Sequence, residues 1–222
     1  MEREVRAVTA FAIRTQGMFV FALAAWLSPA VSMAADAPDV ADSQYGMYLY
    51  LRHCAACHGR QAWGDGPREI PALAGQHEAY LIEQLRRFAA DERAGSAMHG
   101  PVMRETLKAT DVNRAPAIRD LAAYLAHAPP VAEADRGDGR ALTAGGGTYF
   151  RLCAGCHGQD GAGPDGGTVP HIAGQHFPYV LSRLREFGAT HRGQVEPPAL
   201  SAQELQALAD FISRLPRGAS TP

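Results

Sequence analysis

The chain reads as all-α and as a tandem of two similar halves. Apolar residues recur at helical spacing in each half, and no segment alternates apolar and polar residues as a half-buried strand would. The pentad Cys-x-x-Cys-His occurs twice, at Cys54-Ala55-Ala56-Cys57-His58 and at Cys153-Ala154-Gly155-Cys156-His157. Set on those pentads, the halves match at a constant offset of 99, pairing Gly46 with Gly145, Tyr50 with Tyr149, Pro71 with Pro170, Ala74-Gly75-Gln76-His77 with Ala173-Gly174-Gln175-His176, and Phe88 with Phe187. The offset then falls to 93, pairing Leu107 with Leu200, and to 87, pairing Leu121-Ala122 with Leu208-Ala209. A repeat of this length sets the architecture before any single element is assigned.

The first segment, 1–34, reads as a secretory signal. Arg3, Arg6 and Arg14 give it a basic start, an apolar run extends from residue 18 to residue 27, and small residues follow around Ser32-Met33-Ala34. The run is far shorter than the ~20 residues a spanning helix needs, so cleavage after Ala34 is expected rather than a retained anchor. No later segment is apolar enough to cross a membrane.

Helix one of each half is predicted over 43–56 and 142–155, which puts both cysteines and the histidine of each pentad at its C-terminal end. Glycine-rich loops follow over 59–73 and 158–172. A middle helix carries Tyr80, Leu81, Leu85 and Phe88, matched by Tyr179, Val180, Leu184 and Phe187, an apolar stripe best read as core. Final helices are predicted over 117–126 and 202–215, the second announced by Ser201 with Glu204 three residues on, a capping-box pattern. Between the halves, 129–140 is rich in proline, glycine and charge and reads as a linker. The domains are therefore placed at 35–128 and 141–217.

Cys-x-x-Cys-His is a covalent haem attachment pattern: the sulfurs form thioethers with the haem vinyl groups, and the histidine is held under the iron as proximal ligand. Cys54, Cys57 and His58 would take one haem c, Cys153, Cys156 and His157 a second. A zinc site would need pairs 99 positions apart to converge, whereas zinc ribbons draw theirs from a shorter segment. A redox dithiol, or two disulfides in an oxidising compartment, leaves the histidine after each pair without a role. Haem of this kind is attached beyond the bacterial inner membrane, so the signal at 1–34 agrees with the pentads and places the mature chain in the periplasm, touching the membrane only through partners. Domains this small have marginal apolar cores, and the haem itself is expected to supply much of the buried surface.

From Ala35 onward the chain keeps 18 of 21 basic and 21 of 23 acidic residues. That net negative charge argues against a nucleic-acid partner. Lys108 is the sole lysine, so cationic docking contacts have to come from arginine. There is no Ser-His-Asp set, no paired carboxylates of defined spacing and no nucleotide-binding glycine motif.

From about residue 45 to residue 215 the chain resembles the dihaem cytochrome c4 group, tandem class I cytochrome c domains. The two Cys-x-x-Cys-His-Gly sites carry the likeness, with the two Pro-x-(Leu or Ile)-Ala-Gly-Gln-His stretches and the terminal Leu-Ala-x-(Tyr or Phe) helices. The resemblance implies that the carbonyls of Pro71 and Pro170 accept the other ring proton of each proximal histidine, fixing its tautomer. It also implies an axial methionine before the last helix of the first half. Met98, in Met98-His99-Gly100, fills that place, with Met103 second. The second half contains no methionine. Met98 stands nine positions before Leu107 and His191 nine before Leu200, which makes His191 the expected sixth ligand there, ahead of His171 and His176. Methionine raises a haem potential and a second histidine lowers it, so the two haems should differ.

The expected function is electron transfer, with no catalysed reaction. A quinol-oxidising complex or dehydrogenase would be the donor, and a terminal oxidase or reductase the acceptor. The alternatives are a catalytic or gas- or peroxide-binding cytochrome with an open second haem, and a cytochrome subunit of a larger periplasmic dehydrogenase.

Overall fold

Asp42 starts the first helix. Its carboxylate accepts the N–H groups of Gln44 and Tyr45 at 2.9 and 3.0 Å, satisfying two of the donors that a helix start leaves unpaired. From that cap α1 runs over Ser43–His53. A computed structural model describes residues 40–93, 100–186 and 199–218 of the chain, and among these there is no strand.

The single helix expected through each pentad is in fact two. Cys54 departs from helical geometry at φ −119°, and a second short helix, α2 (Ala55–His58), ends on Gly59 at φ 76°. The second half repeats this with α6 (Leu142–Leu152), a break at Cys153, α7 (Ala154–His157) and Gly158 at φ 77°. The break has a tertiary cause. Tyr50 and Tyr149 are fully buried, and their hydroxyls donate to the carbonyls of Gly59 and Gly158 at 2.5 and 2.6 Å. Each pentad is thereby folded back against the helix it leaves.

The other helices are α3 (Glu78–Ala89), α4 (Gly100–Ala109), α5 (Ala115–His127), α8 (Phe177–Glu186) and α9 (Ala202–Arg214). A single 3-10 turn, Asp111–Asn113, joins α4 to α5. The capping box of α9 forms as the spacing suggests: the Ser201 hydroxyl accepts the Glu204 N–H, and the Glu204 carboxylate accepts the Ser201 N–H at 2.8 Å. Helix α4 was not expected. It opens on Gly100-Pro101, a pair that reads as a turn, although Met103 and Leu107 both face the first core, and it is tethered by Arg104 and Lys108 to Asp91 at 2.8 and 3.4 Å.

The first and last helices of each half cross almost in backbone contact. A Cβ at Gly46 would lie 1.9 Å from the Asp120 carbonyl oxygen, and one at Gly145 2.1 Å from that of Ala207. Around the crossing of α1 with α5, the first core gathers Leu49, Tyr50, Leu81, Phe88, Ile118 and Leu121. Around that of α6 with α9, the second gathers Tyr149, Val180, Leu181, Leu208 and Ile212.

The two halves lie in one compact unit, Asp39–Pro222, and their junction is close to two-fold symmetric. Gln76 donates to the carbonyl and accepts from the N–H of His171, both at 2.9 Å. Gln175 does the same to Ala72, at the same distances. Next to them, His77 meets the Ala162 carbonyl at 2.6 Å and His176 that of Trp63 at 2.7 Å. Every partner pair is related by the offset of 99.

The connector at 129–140 is tied down along its length. Trp63 donates to the Pro129 carbonyl at 2.9 Å, and Val131 is buried. The Gly137 and Gly139 N–H groups donate to the buried carboxylate of Asp210 at 3.0 and 2.7 Å. Arg214 closes the loop, donating to Asp210 at 2.8 Å and to the Gly137 carbonyl at 2.7 Å. No helix among the described residues is long and apolar enough to cross a membrane.

Since no flexible atom can yield at the two crossings, Gly46→Ala and Gly145→Ala are each expected to destabilise the half they belong to by about 1–3 kcal/mol, the usual range for overpacking. Thermal unfolding of the holoprotein, followed in the Soret band, would show a lowered midpoint for both. Gly147→Ala, whose Cβ meets nothing within 4 Å, should leave it unchanged.

Candidate haem site

In each half a loop returns from the pentad to lay a proline carbonyl over the histidine ring. The Gly64 N–H bonds the His58 carbonyl at 2.9 Å, and the N–H groups of Leu73 and Ala74 both reach the Ala62 carbonyl. In the second half Gly163, Ile172, Ala173 and Gly161 repeat the pattern. His58 Nδ1 then lies 3.2 Å from the Pro71 oxygen, and His157 Nδ1 3.1 Å from that of Pro170. A carbonyl only accepts, so Nδ1 carries the proton and the ring's lone pair is on Nε2, the form in which imidazole binds a metal. Both rings are buried, at 7% and 5% exposure.

The four cysteines are unpaired, Cys54 and Cys153 half-buried, Cys57 and Cys156 exposed. Burial, and then the neighbouring Cys57, pushes the Cys54 thiol up to about 12. Burial and Cys156 push Cys153 up to about 11. A redox dithiol depends on a lowered thiol pKa, and the shift at Cys54 and Cys153 runs the other way. Among the described residues no three His, Cys, Asp or Glu side chains converge as a metal site would require, which disposes of zinc shared between the pairs.

Both pentads open into one continuous cavity of ≈ 1060 Å³. Cys54, Cys57 and His58 line it in the first half with Leu81, Leu85 and Leu107. Cys153, Cys156 and His157 line it in the second with Val180, Leu184 and Leu208. Ordinary small-molecule sites span about 300–1,000 Å³, so this one exceeds them while reaching two attachment points. An apolar cavity walled by thiols and by histidines of the metal-binding tautomer fits a covalently held haem in each half. Such a haem would supply a redox-active iron, with Cys54, Cys57, Cys153 and Cys156 placed to hold it and the His58 and His157 rings placed to face it.

Met98 and His191 lie outside the described residues. Met103 lines the cavity and packs against the first core. His171 is buried, lines the cavity, and has no partner at Nε2. His176 is used up by the fold: Nε2 bonds Trp63 and Nδ1 meets Asp135, whose carboxylate is 2.8 Å away. The residues that sequence reasoning missed are Gln76 and Gln175, whose signal was the duplicated Ala-Gly-Gln-His stretch itself.

Residues 43–129 match the family model "Cytochrome c", and residues 140–212 match "Cytochrome C oxidase, cbb3-type, subunit III". The chain therefore consists of two cytochrome c domains in tandem. It is similar to cytochrome c4 from Thiocapsa roseopersicina, 33% identical over 196 residues covering 82% of this chain and 96% of that protein. The crystal structure of reduced recombinant cytochrome c4 from Pseudomonas stutzeri matches with a TM-score of 0.65 and 26% identity, covering 79% of this chain and 100% of that one. A thiosulfate dehydrogenase electron acceptor from Thiomonas intermedia (strain K12) is 31% identical over 169 residues, 72% of this chain and 68% of that protein. The chain belongs to the cytochrome c4 family. It carries two covalently bound haem c groups and is a dihaem electron-transfer cytochrome that works with redox protein partners.

Replacing Cys153 and Cys156 together by alanine should halve the haem content, from two to one per chain by pyridine haemochrome assay. The retained haem would be that of the first half, whose core and proline loop are built separately.

Proposed function

We propose that the protein is a periplasmic carrier that takes single electrons from a quinol-oxidising complex or dehydrogenase and delivers them to a terminal oxidase or reductase. It would meet the membrane only through those partners and have no nucleic-acid partner. The observation that carries this reading is the single cavity joining both pentads across a junction held by reciprocal glutamine bonds. Two redox centres sharing one rigid apolar enclosure suit electron passage; nothing in the cavity wall resembles a substrate-activating set. Residues 35–128 and 141–217 would be the two haem domains.

On this reading His58 and His157 are the proximal ligands. Each is oriented by its Nδ1 bond to Pro71 or Pro170, a contact that raises the ligand's basicity and holds the ring's plane. Met98 would complete the first coordination sphere and His191 the second. The first haem then has the higher potential, because thioether ligation favours ferrous iron more than a second imidazole does. A second reading, transfer from a thiosulfate-oxidising enzyme, is favoured by the likeness to the Thiomonas electron acceptor.

Low-temperature electron paramagnetic resonance of the oxidised holoprotein tests the ligation. Two low-spin signals are expected, one lost in Met98→Ala and the other in His191→Ala. A high-spin signal in the unmutated protein that His191→Ala leaves unaltered would overturn the carrier reading and indicate an open iron. Rapid haem reduction on mixing with a thiosulfate dehydrogenase and thiosulfate would select the second reading.

A further inference from the structure

Each proline carbonyl that meets a pentad histidine belongs to a peptide group whose other end is bonded across the junction. Pro71 C=O and Ala72 N–H are one such group. The carbonyl lies 3.2 Å from His58 Nδ1, and the Ala72 N–H donates to Gln175 Oε1, in the opposite half, at 2.9 Å. Pro170 C=O and His171 N–H repeat this: the carbonyl lies 3.1 Å from His157 Nδ1, and the N–H donates to Gln76 Oε1 at 2.9 Å. The C=O and N–H of a trans peptide point opposite ways. An unbroken chain therefore runs from each imidazole, through a single peptide group, to a glutamine of the other half.

Both amides are buried, at 6% exposure, and their orientation is fixed. Each Oε1 also accepts the N–H of the residue that follows it, His77 or His176, at 3.0 Å. Each Nε2 donates to the carbonyl of His171 or Ala72 at 2.9 Å. Turning either amide over would set its NH2 against two N–H groups and its oxygen against a carbonyl, so the oxygen is held toward the ligand-bearing peptide. A glutamine needed only to join the halves could bond any backbone at the junction. Both instead take the peptide that orients a pentad histidine, and they do so crosswise.

We propose that the two glutamines are positioning residues for the iron ligands of the opposite half: Gln175 sets the donor strength of His58, and Gln76 that of His157. The inference rests on the reading of His58 and His157 as proximal ligands. An acceptor at the N–H of a peptide and a donor at its C=O favour the same charge-separated form of the group, so each bond strengthens the other. The Gln175 oxygen thus makes the Pro71 carbonyl a better acceptor for the His58 Nδ1 proton. A more strongly bonded Nδ1 proton makes the imidazole more basic at Nε2, which favours ferric iron. Each half in this way lowers the potential of the haem that the other half carries.

The test uses the holoprotein with Gln175→Leu, Gln76→Leu and Gln175→Glu, each shown by haem assay to keep two haems. Redox titration with the haems resolved is expected to show a crosswise effect. Gln175→Leu should shift the first haem about threefold toward the reduced form, ~28 mV for one electron, less than the ~10-fold effect of removing a ligand's direct partner. The second haem should stay where it was, and Gln76→Leu should do the reverse. Gln175→Glu keeps an acceptor for the Ala72 N–H whether or not it is ionised, so the first potential should not rise. In proton NMR of the reduced, diamagnetic protein, the His58 Nδ1 proton should move upfield in Gln175→Leu while that of His157 stays. If Gln175→Leu does not hold two haems, Gln175→Asn, an amide one carbon too short to reach Ala72, takes its place with the same expectation. Movement of the second haem alone in Gln175→Leu, or of both haems equally, would overturn the proposal, since local damage or a loosened junction would then be the cause. An equal rise in Gln175→Leu and Gln175→Glu, or unmoved Nδ1 protons, would do so too. Histidine ring protons in the unmutated protein without the porphyrin ring-current shift of an axial ligand would instead strike out the ligation itself, and the proposal with it.

Discussion

The near-contact of the first and last helices at Gly46 and Gly145 is the constraint on which the other features rest. Because these backbones meet without a side chain between them, the C-terminal end of α1 or α6 is delivered to one place relative to the core. Tyr50 and Tyr149 continue from there. Burial first, then the adjacent cysteine, raises both phenols, so they remain hydroxyl donors and hold Gly59 and Gly158 in place. The break at Cys54 and Cys153 follows, and with it the pentad turned toward the cavity and the histidine set under its proline carbonyl. Loosening the crossing would misplace the His58 or His157 ring without touching any residue of the site.

Much of this was legible in the sequence, because the features concerned are local or repeated. The pentads state their own chemistry, the offset of 99 reveals the duplication, and Ser201 with Glu204 marks the start of α9. The parts that were not legible are those that tertiary contact imposes. A helical apolar period continues through Cys54 without registering that φ has left the helix, since the cause is a hydroxyl bond to Gly59. Helix α4 opens on Gly100-Pro101, which reads as a turn, and this masks the face that Met103 and Leu107 turn to the core. Gln76 and Gln175 are buried amides whose composition suggests surface, and only the shared backbone partners of the two halves reveal their function. The segment at 129–140 has the composition of a linker, yet the Asp210 carboxylate gathers it through two backbone N–H groups, a non-local pairing that no window of sequence displays.

The junction also explains why two small domains act as one body. Each glutamine satisfies an N–H and a carbonyl of the opposite half, so separating the halves would exchange four buried hydrogen bonds for bonds to water, a net cost of about 0.5–1.5 kcal/mol each. Any other seating of the halves against each other would leave some of these groups buried and unpaired, at about 1–3 kcal/mol each, whereas the fully satisfied set fixes a unique geometry. The reciprocal arrangement holds the two haem-facing walls in one mutual position, the condition under which electron passage between them would have a constant distance.

Within that symmetric frame the differences between the halves are not spread evenly. Some buried positions that build the fold are kept, as with Tyr50 and Tyr149 or Gln76 and Gln175, while others change, as with Leu49 and Thr148 or Leu81 and Val180. Further changes fall on the cavity wall, Ala72 against His171, and on the first helix, where Tyr45, Met47 and Tyr48, all exposed, stand against Ala144, Gly146 and Gly147. Two identical haem sites would share an electron without preference. Keeping one backbone twice while altering groups on the cavity wall and on the surface would, if the proposed ligation holds, give two centres of unequal potential at a fixed separation, and a difference of that kind would give electron flow a direction.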